Sequence, residues 1–281
     1  MIELTGPRFA GGMSVLPGYN APMATYTLQR GRVPLLVSLP HDGSYIPDEI
    51  AARMHPRSRR SPDTDWHVGR LYEPLAHALG ASVLKPVASR YVVDLNRPSD
   101  GHALYPGQRE TGLVPMVGFD GEPLYLEDGA PGQAEIEQRV TDYWKPYHQA
   151  LAQELARLSS EHGRVVLWEG HSIRGQVPML FDGVLPDFNL GTAAGASCGP
   201  ALQARLHRCL EAQSRFSFAV NGRFKGGYIT RHYGVPSSGV QAVQLELAQH
   251  NYMDEATVVY DEAKAQPVQE LIGQMLRICL A

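Results

Sequence analysis

The sequence predicts a layered α/β protein with helices on both faces of a largely parallel or mixed sheet, and three observations carry that expectation. Short apolar runs rich in β-branched residues recur along the chain, amphipathic stretches of helical length lie between them, and the two kinds of segment alternate rather than segregate. A chain of 281 residues with 43% hydrophobic content can bury a full core. No stretch has the composition of a linker, so a single domain over 1–281 is expected.

The runs at 33–39 (VPLLVSL), 81–87, 90–95 (RYVVDL), 164–170 (RVVLWEG), 216–220 and 240–247 (VQAVQLEL) have the length and composition of buried strands. From 63 to 79, Trp66, Leu71, Leu75 and Leu79 fall near one helical face, with Ser61 or Asp63 as caps and Gly80 as a stop. A longer helical pattern, 134–162, should be kinked or split at Pro146 and end at Gly163. Residues 200–212 and 254–280 complete the helices. The Gly- and Pro-rich segments 97–133, 182–200 and 221–239 exceed ordinary connections, and are expected to line a site beyond the strand ends.

Composition narrows the function. A net charge of −4 lacks the basic surface of a nucleic-acid binder, which leaves small molecules as the expected partners. Cys198, Cys209 and Cys279 are odd in number and lack CxxC spacing, which fits a reducing compartment rather than a disulfide framework. The N-terminus has no signal-like apolar core and no run is long enough to span a bilayer, so a cytoplasmic location without membrane contact is expected.

Four separated segments carry the chemistry: PHDG around His41, SPDTDW around Asp65, WEGHS around His171 and QLELAQ around Glu246. His41 and His171 each come at the carboxyl end of an apolar run, where open α/β sheets place their crevices. Two imidazoles there suit one divalent metal ion, zinc before cobalt or another, if a third ligand is found and a position is left for water. Asp65 and Asp63 are candidates, although either could instead cap the helix that follows. Glu169, two residues before His171, is expected to point away or to hydrogen-bond to that histidine. A carboxylate buried alone in an apolar strand costs several kcal/mol, on the order set for desolvated ions, so Glu246 must be protonated, paired with a cation, or at the site. At the site it would be the general base. Arg90, Asn96, Arg97, Arg174, Arg223, Lys225 and Arg231 offer forks or donors for a substrate carboxylate. The GxSxG match at Gly195–Gly199 is set aside because the residues before it do not have the pattern of a strand. The glycine-rich NGRFKGG lacks the GK[ST] of a nucleotide-phosphate loop.

The strings DTDWHVGRLY, SRYVVDLNRP, LYPGQRETGL, HSIRGQVPMLFDGVLPDFNLGT, NGRFKGGYITRHYG and QAVQLE strongly resemble the N-formylglutamate amidohydrolase family of bacterial histidine degradation, from about Pro34 to the C-terminal helix. That family is similar in fold to zinc carboxypeptidases and aspartoacylase. The resemblance therefore implies a three-layer α/β/α sandwich around a mixed sheet. It further implies His41 and His171 as metal ligands, Glu246 as general base, Arg90 as oxyanion stabiliser and Asn96-Arg97 as the grip on a carboxylate. No glutamate follows His41 at the carboxypeptidase spacing, so Asp65 is expected as the third ligand, with Asp63 second. The implied reaction is hydrolysis of N-formyl-L-glutamate to formate and L-glutamate. A deacylase or carboxypeptidase for another N-acyl amino acid, or a non-catalytic binder of acidic metabolites, would share much of this pattern.

Overall fold

In the computed structural model, which describes residues 24–104 and 110–281, the elements run in chain order β1 (Tyr26–Gln29), β2 (Leu35–Ser38), α1 (Asp48–Ala51), α2 (Val68–Leu79), β3 (Ser82–Pro86), α3 (Gln133–Arg139), α4 (Lys145–His162), β4 (Val165–Ile173), β5 (Phe188–Gly191), α5 (Pro200–Glu211), β6 (Phe218–Val220), α6 (Tyr228–Tyr233), β7 (Val240–Ala248), β8 (Met253–Asp254), β9 (Val259–Tyr260) and α7 (Glu262–Leu280). The N-terminal segment expected to carry no leader, and residues 105–109 of the expected covering loop, lie outside the described residues. Seven strands form one mixed sheet in the order β1-β3-β2-β4-β7-β5-β6. Strands β3, β2, β4 and β7 run parallel, β1 and β5 are antiparallel to their neighbours β3 and β7, and β6 is parallel to β5.

The two-residue period of the strands builds the layers. Leu35, Val37, Leu39, Val166, Trp168, Val243, Leu245 and Leu247 pack with residues of α2, α5 and α7. Leu36, Val165, Leu167 and Ala242 face the other way, with Leu151, Leu155 and Leu158 of α4 and Ile229 of α6. The expected α/β/α sandwich is present. Because β2, β4 and β7 are parallel, their carboxyl ends meet at one edge, and that edge carries the candidate site.

Several expected elements differ. Residues 90–95 are not a strand: Val92 N–H donates to Ser89 O (2.9 Å) and Arg97 N–H to Asp94 O (3.2 Å), so the segment winds in turns. Tyr91, Val92, Val93 and Leu95 are all buried, and an apolar run buried on every side does not reveal its backbone by periodicity. Strand β4 continues through His171 to Ile173, so this histidine lies within the strand rather than after it. Residues 182–200 contain β5, and 254–261 contain the β8–β9 hairpin, before α7 begins at Glu262. The split near Pro146 is a π-helical turn, Val140–Trp144, between α3 and α4. Proline has no N–H to give and its ring crowds the carbonyl of residue i−4, so the ladder absorbs one extra residue. Helix α4 ends as expected at Gly163, whose φ of 71° is left-handed.

Helix α2 begins at Val68, and neither Ser61 nor Asp63 caps it. Asp42 does so instead, its Oδ1 accepting the Gly69 N–H at 2.7 Å. Among the described residues no helix is long and apolar enough to cross a membrane.

The winding segment 90–97 is held from α4. His148 Nε2 lies 2.9 Å from Leu95 O, its Nδ1 lies 3.0 Å from the Tyr233 hydroxyl, and Trp144 stacks on the ring at 3.7 Å while donating from Nε1 to Arg97 O. Burial pushes the His148 pKa down from 6.5 to about 3. The unfolded imidazole takes up a proton below 6.5 and the folded one does not until about 3, so stability is lost as pH falls through that window. The stability advantage of the wild type over His148→Gln should therefore shrink by about 2 kcal/mol between pH 7 and pH 5 in denaturant unfolding of the two proteins. A pH-independent difference would contradict a buried neutral His148.

Candidate metal centre and active site

Parallel register sets the polar groups side by side. Glu169 on β4 pairs with Gln244 on β7 and His171 with Glu246, while Asn189 of β5 pairs with Glu246 from the other side. All lie on the sheet face that carries Val165, Leu167 and Ala242, so apolar rows give way to a polar row as the strands reach their carboxyl ends. Glu169 therefore shares a face with His171 rather than pointing away, because residues two apart on a strand project together.

The two histidines are held alike. His41 Nε2 is 2.8 Å from Asp94 Oδ1, and His171 Nε2 is 2.9 Å from Glu169 Oε1. The opposite ring nitrogens turn toward one carboxylate: Asp65 Oδ2 is 3.0 Å from His171 Nδ1 and 3.8 Å from His41 Nδ1. One ligand atom from each of His41, Asp65 and His171 lies within 4.8 Å of the others, all buried, and this set could hold a metal ion. A carboxylate behind each Nε2 fixes the tautomer that leaves Nδ1 free to ligate. The donor set suits zinc-type coordination, with two nitrogens and a carboxylate oxygen.

The supports are themselves anchored. Asp94 also accepts from Arg90 Nη2 at 2.7 Å and from Asn96 N–H at 2.9 Å, while Thr230 Oγ1 donates to the other oxygen of Glu169 at 2.5 Å. Asp65 Oδ2 accepts the Ser172 N–H at 3.1 Å, and the Asp65 N–H donates to His41 O at 3.1 Å. Gly227 brings the start of α6 against Asn96, where an added Cβ would fall 2.3 Å from Nδ2. Its N–H donates to Gln244 Oε1 at 2.7 Å.

Buried charge dominates the electrostatics. Burial and the nearby Arg90 guanidinium lower the His41 pKa, against the pull of Asp94 and Asp65. For His171 burial opposes protonation, yet Glu169 and Asp65 outweigh it and raise its pKa well above the ordinary value. Burial works against the charged forms of Asp65 and Asp94, but the histidines and Arg90 hold both below the usual carboxylate range. Glu246 is pushed up to about 8, chiefly by burial. With Glu246 mostly protonated and His41 neutral near pH 7, Asp65, Asp94 and Glu169 set three buried carboxylates against Arg90 and a protonated His171, an excess of negative charge that favours a cation.

One cleft is lined by His41, Arg90, Asn96, Arg97, His171 and Glu246, together with Thr111, Phe119, Arg223 and Gln244. Arg97 is braced by Nε donating to Thr111 O at 2.8 Å, and Arg223 by Nε donating to Leu180 O at 2.9 Å. Asn96 is engaged by the framework: its Oδ1 accepts the Ile229 N–H at 2.9 Å and its Nδ2 is 3.2 Å from His171 Nε2. Three expected site residues are placed elsewhere. Asp63 accepts from Tyr91 Oη at 2.6 Å and Phe119 N–H at 2.8 Å, Arg231 donates from Nε to Gly226 O at 2.8 Å without lining the cleft, and Arg174 lines a neighbouring cleft. Residues 97–133 and 221–239 contribute to the cleft, but 182–200 do not. A strand does precede the GxSxG match, contrary to expectation, yet Ser197 is buried and donates to Ala242 O at 2.8 Å, as a structural hydroxyl does. Asp94, Gln244 and Thr230 escaped the sequence reading. Asp94 carries the same signal as Glu246, an acid inside an apolar run, but the winding backbone that aims it at His41 has no signature in that run.

The N-formylglutamate amidohydrolase family model matches residues 33–253. The chain belongs to the N-formylglutamate amidohydrolase family. It is 52% identical over 256 residues to N-formylglutamate deformylase of Pseudomonas aeruginosa, covering 91% of this chain and 96% of that protein. With N-formylglutamate deformylase of Pseudomonas putida it shares 48% identity over 256 residues, covering 91% and 95%. The crystal structure of N-formylglutamate amidohydrolase from Ralstonia eutropha JMP134 superposes with a TM-score of 0.77 at 26% identity, over 92% of this chain and 98% of that one. A gene product of Agrobacterium tumefaciens shares the fold at a TM-score of 0.69 and 17% identity, over 91% and 94%. The family match spans His41, Asp65, Asp94, His171 and Glu246 alike.

Since His171 holds a proton well above the ordinary histidine pKa while His41 does not, ligation at neutral pH should release about one proton per chain and tighten as pH rises. Calorimetric zinc titrations in buffers of different ionisation enthalpy measure that number. A value near zero would contradict a protonated His171 in the metal-free site.

Proposed function

We propose that this protein hydrolyses N-formyl-L-glutamate to formate and L-glutamate with a divalent metal, zinc first, held by His41, Asp65 and His171. The observation that carries the reading is one cleft, lined by both histidines of that ligand set, in which a buried glutamate and two braced arginines converge. Identity of 52% to a curated N-formylglutamate deformylase supports the substrate. A metal ion held there supplies positive charge that polarises the formyl carbonyl and makes water more acidic.

The protein's own groups do the rest. Glu246 sits across the β4–β7 register from His171, buried and facing the cleft, with a pKa lifted to about 8 by burial. Such a carboxylate is basic enough to take a proton from the attacking water and acidic enough to return it to nitrogen. Gln244 Nε2, 3.4 Å from Glu246 Oε2, helps to set its direction. The water oxygen bonds to the formyl carbon, the carbon–nitrogen bond breaks, and the proton passes through Glu246 to the leaving amine. Arg90, fixed by Asp94, places a guanidinium where charge grows on the carbonyl oxygen, with little left to reorganise. Arg97 and Arg223, at the same cleft, bind the glutamate carboxylates. Phe119 and Leu180 are apolar residues of the cleft lining and are proposed to favour formyl over larger acyl groups.

The whole chain is proposed to act as one catalytic domain in the cytoplasm and to perform the last step of a histidine degradation route. Three free cysteines suit that compartment.

Glu246→Gln should retain metal and substrate binding and lose turnover by about 10²-fold or more, since proton transfer goes while the ligands stay. Near-normal turnover would transfer the base to another group, Glu169 first. Arg97→Lys keeps the charge but loses the fork, and should lower kcat/KM by roughly 10- to 100-fold. The preference for formylglutamate over a formyl amino-acid amide should shrink with it, and an undiminished preference would assign the carboxylate to Arg223. Formyl-, acetyl- and succinyl-glutamate assayed side by side test the acyl preference.

A further inference from the structure

A second cleft of about 570 Å³ is lined by Arg57, Arg60, Arg174, Pro62, Trp66 and Val258 among others, with no acidic residue on its walls. It is continuous in the chain with the proposed ligands: Trp66 follows Asp65, and Arg174 lies three residues beyond His171. Its cations are poorly compensated. The Arg60 and Arg174 side chains make no hydrogen bond or ion pair with other described residues, although Arg174 acts through space on Asp63. Arg57 donates from Nη2 to Pro123 O at 3.0 Å, and its charge meets Glu122 at 3.6 Å and Asp120 at 4.0 Å, on an exposed surface where such pairs hold weakly.

Strained backbone occurs in the lining at Val258 and next to it in the chain at Ser61 and His67. Ser61 (φ 50°), His67 (φ 64°) and Val258 (φ 59°) are left-handed without being glycine, and His67 Nε2 lies 2.8 Å from Val258 O. Trp66 Nε1 is buried without a partner among the described residues. Two arginines without partners among the described residues, beside a buried indole N–H that also lacks one, form the pattern of a ligand site rather than of a packing defect. Arg57 and Arg60 come from one turn and Arg174 from the end of β4, so the cations sit on separate segments with proline, indole and valine also in the lining. That distribution matches a molecule with two separated charges and an apolar spacer better than a single compact anion.

We propose that this cleft is a second ligand site, distinct from the catalytic cleft, and that it binds a small dicarboxylate between Arg57/Arg60 and Arg174 over the face of Trp66. The test uses the metal-loaded protein and glutarate, a dicarboxylate without an amine or a scissile bond. Calorimetry should resolve two classes of glutarate site in the wild type. The double variant Arg57→Gln/Arg60→Gln should weaken one class by about 10-fold or more, the loss of charge-assisted hydrogen bonds, and keep deformylase turnover. Arg97→Gln should weaken only the other class, so the two arms report on the two clefts separately. Tryptophan fluorescence should change on occupancy of the Arg57/Arg60 class, and Trp66→Phe should abolish that change. Glutarate binding unaffected by the double variant would overturn the proposal. Inorganic phosphate binding more tightly than glutarate, with the same sensitivity to Arg57 and Arg60, would overturn the dicarboxylate assignment in favour of a phosphate site.

Discussion

The convergence of two imidazoles on the carboxylate of Asp65 is the interaction on which the rest of the site depends. His171 Nδ1 lies 3.0 Å and His41 Nδ1 3.8 Å from the same oxygen, in surroundings from which water is largely excluded. Burying these groups costs several kcal/mol per ion, on the scale of desolvated charges, unless partners are held in good geometry. The protein supplies those partners from outside: Asp94 and Glu169 behind the rings, Arg90 behind Asp94, and Thr230 behind Glu169. Rigid donors arranged before the ion arrives need little reorganisation to bind it.

Topology makes this arrangement possible. Parallel β2, β4 and β7 bring three sequence-distant segments to one edge, and the exact pairing of His171 with Glu246 places ligand and proposed base as neighbours. A one-residue slip between β4 and β7 would turn Glu246 into the opposite apolar layer, so the deep packing of Trp168, Val243 and Leu245 also guards the chemistry. Two groups come from turns instead. Asp65 precedes α2, and Asp94 belongs to the winding 90–97 segment pinned by His148 and Trp144. Loops can aim side chains that a strand would constrain, at the cost of needing such pins.

Much of the architecture was legible because apolar runs and helical spacing report burial, and burial follows the layers. The strands at 33–39, 81–87, 164–170 and 240–247 and the helix ending at Gly163 all appear close to where the pattern places them. The edge strand β1 and the inner strand β5 were not legible, since Tyr26–Gln29 is only four residues long and Phe188–Gly191 sits among turn formers. His41, His171 and Glu246 announced themselves as polar groups at or in apolar runs. Asp94 gives the same signal, but its place behind His41 comes from turns that the apolar run does not reveal. The helix-cap role went to Asp42 rather than to Ser61 or Asp63, because capping depends on which loop crosses the helix start, and that is a tertiary fact. Arg174 and Arg231 could not be sorted from Arg97 and Arg223 by sequence, for a guanidinium on a long side chain can reach several places from one Cα.

The arrangement of tautomers makes a demand on the bound state that no alternative ligand set shares. With Nε2 of His41 on Asp94 and Nε2 of His171 on Glu169, only the Nδ1 atoms remain to join Asp65 around an ion. The most direct measurement is anomalous diffraction at the zinc edge from crystals of the zinc-loaded protein. The account predicts a single strong peak per chain at that edge, in contact with Nδ1 of His41, Nδ1 of His171 and the Asp65 carboxylate. A peak against either Nε2, or one held by Asp63 or Asp94 in place of Asp65, would contradict it.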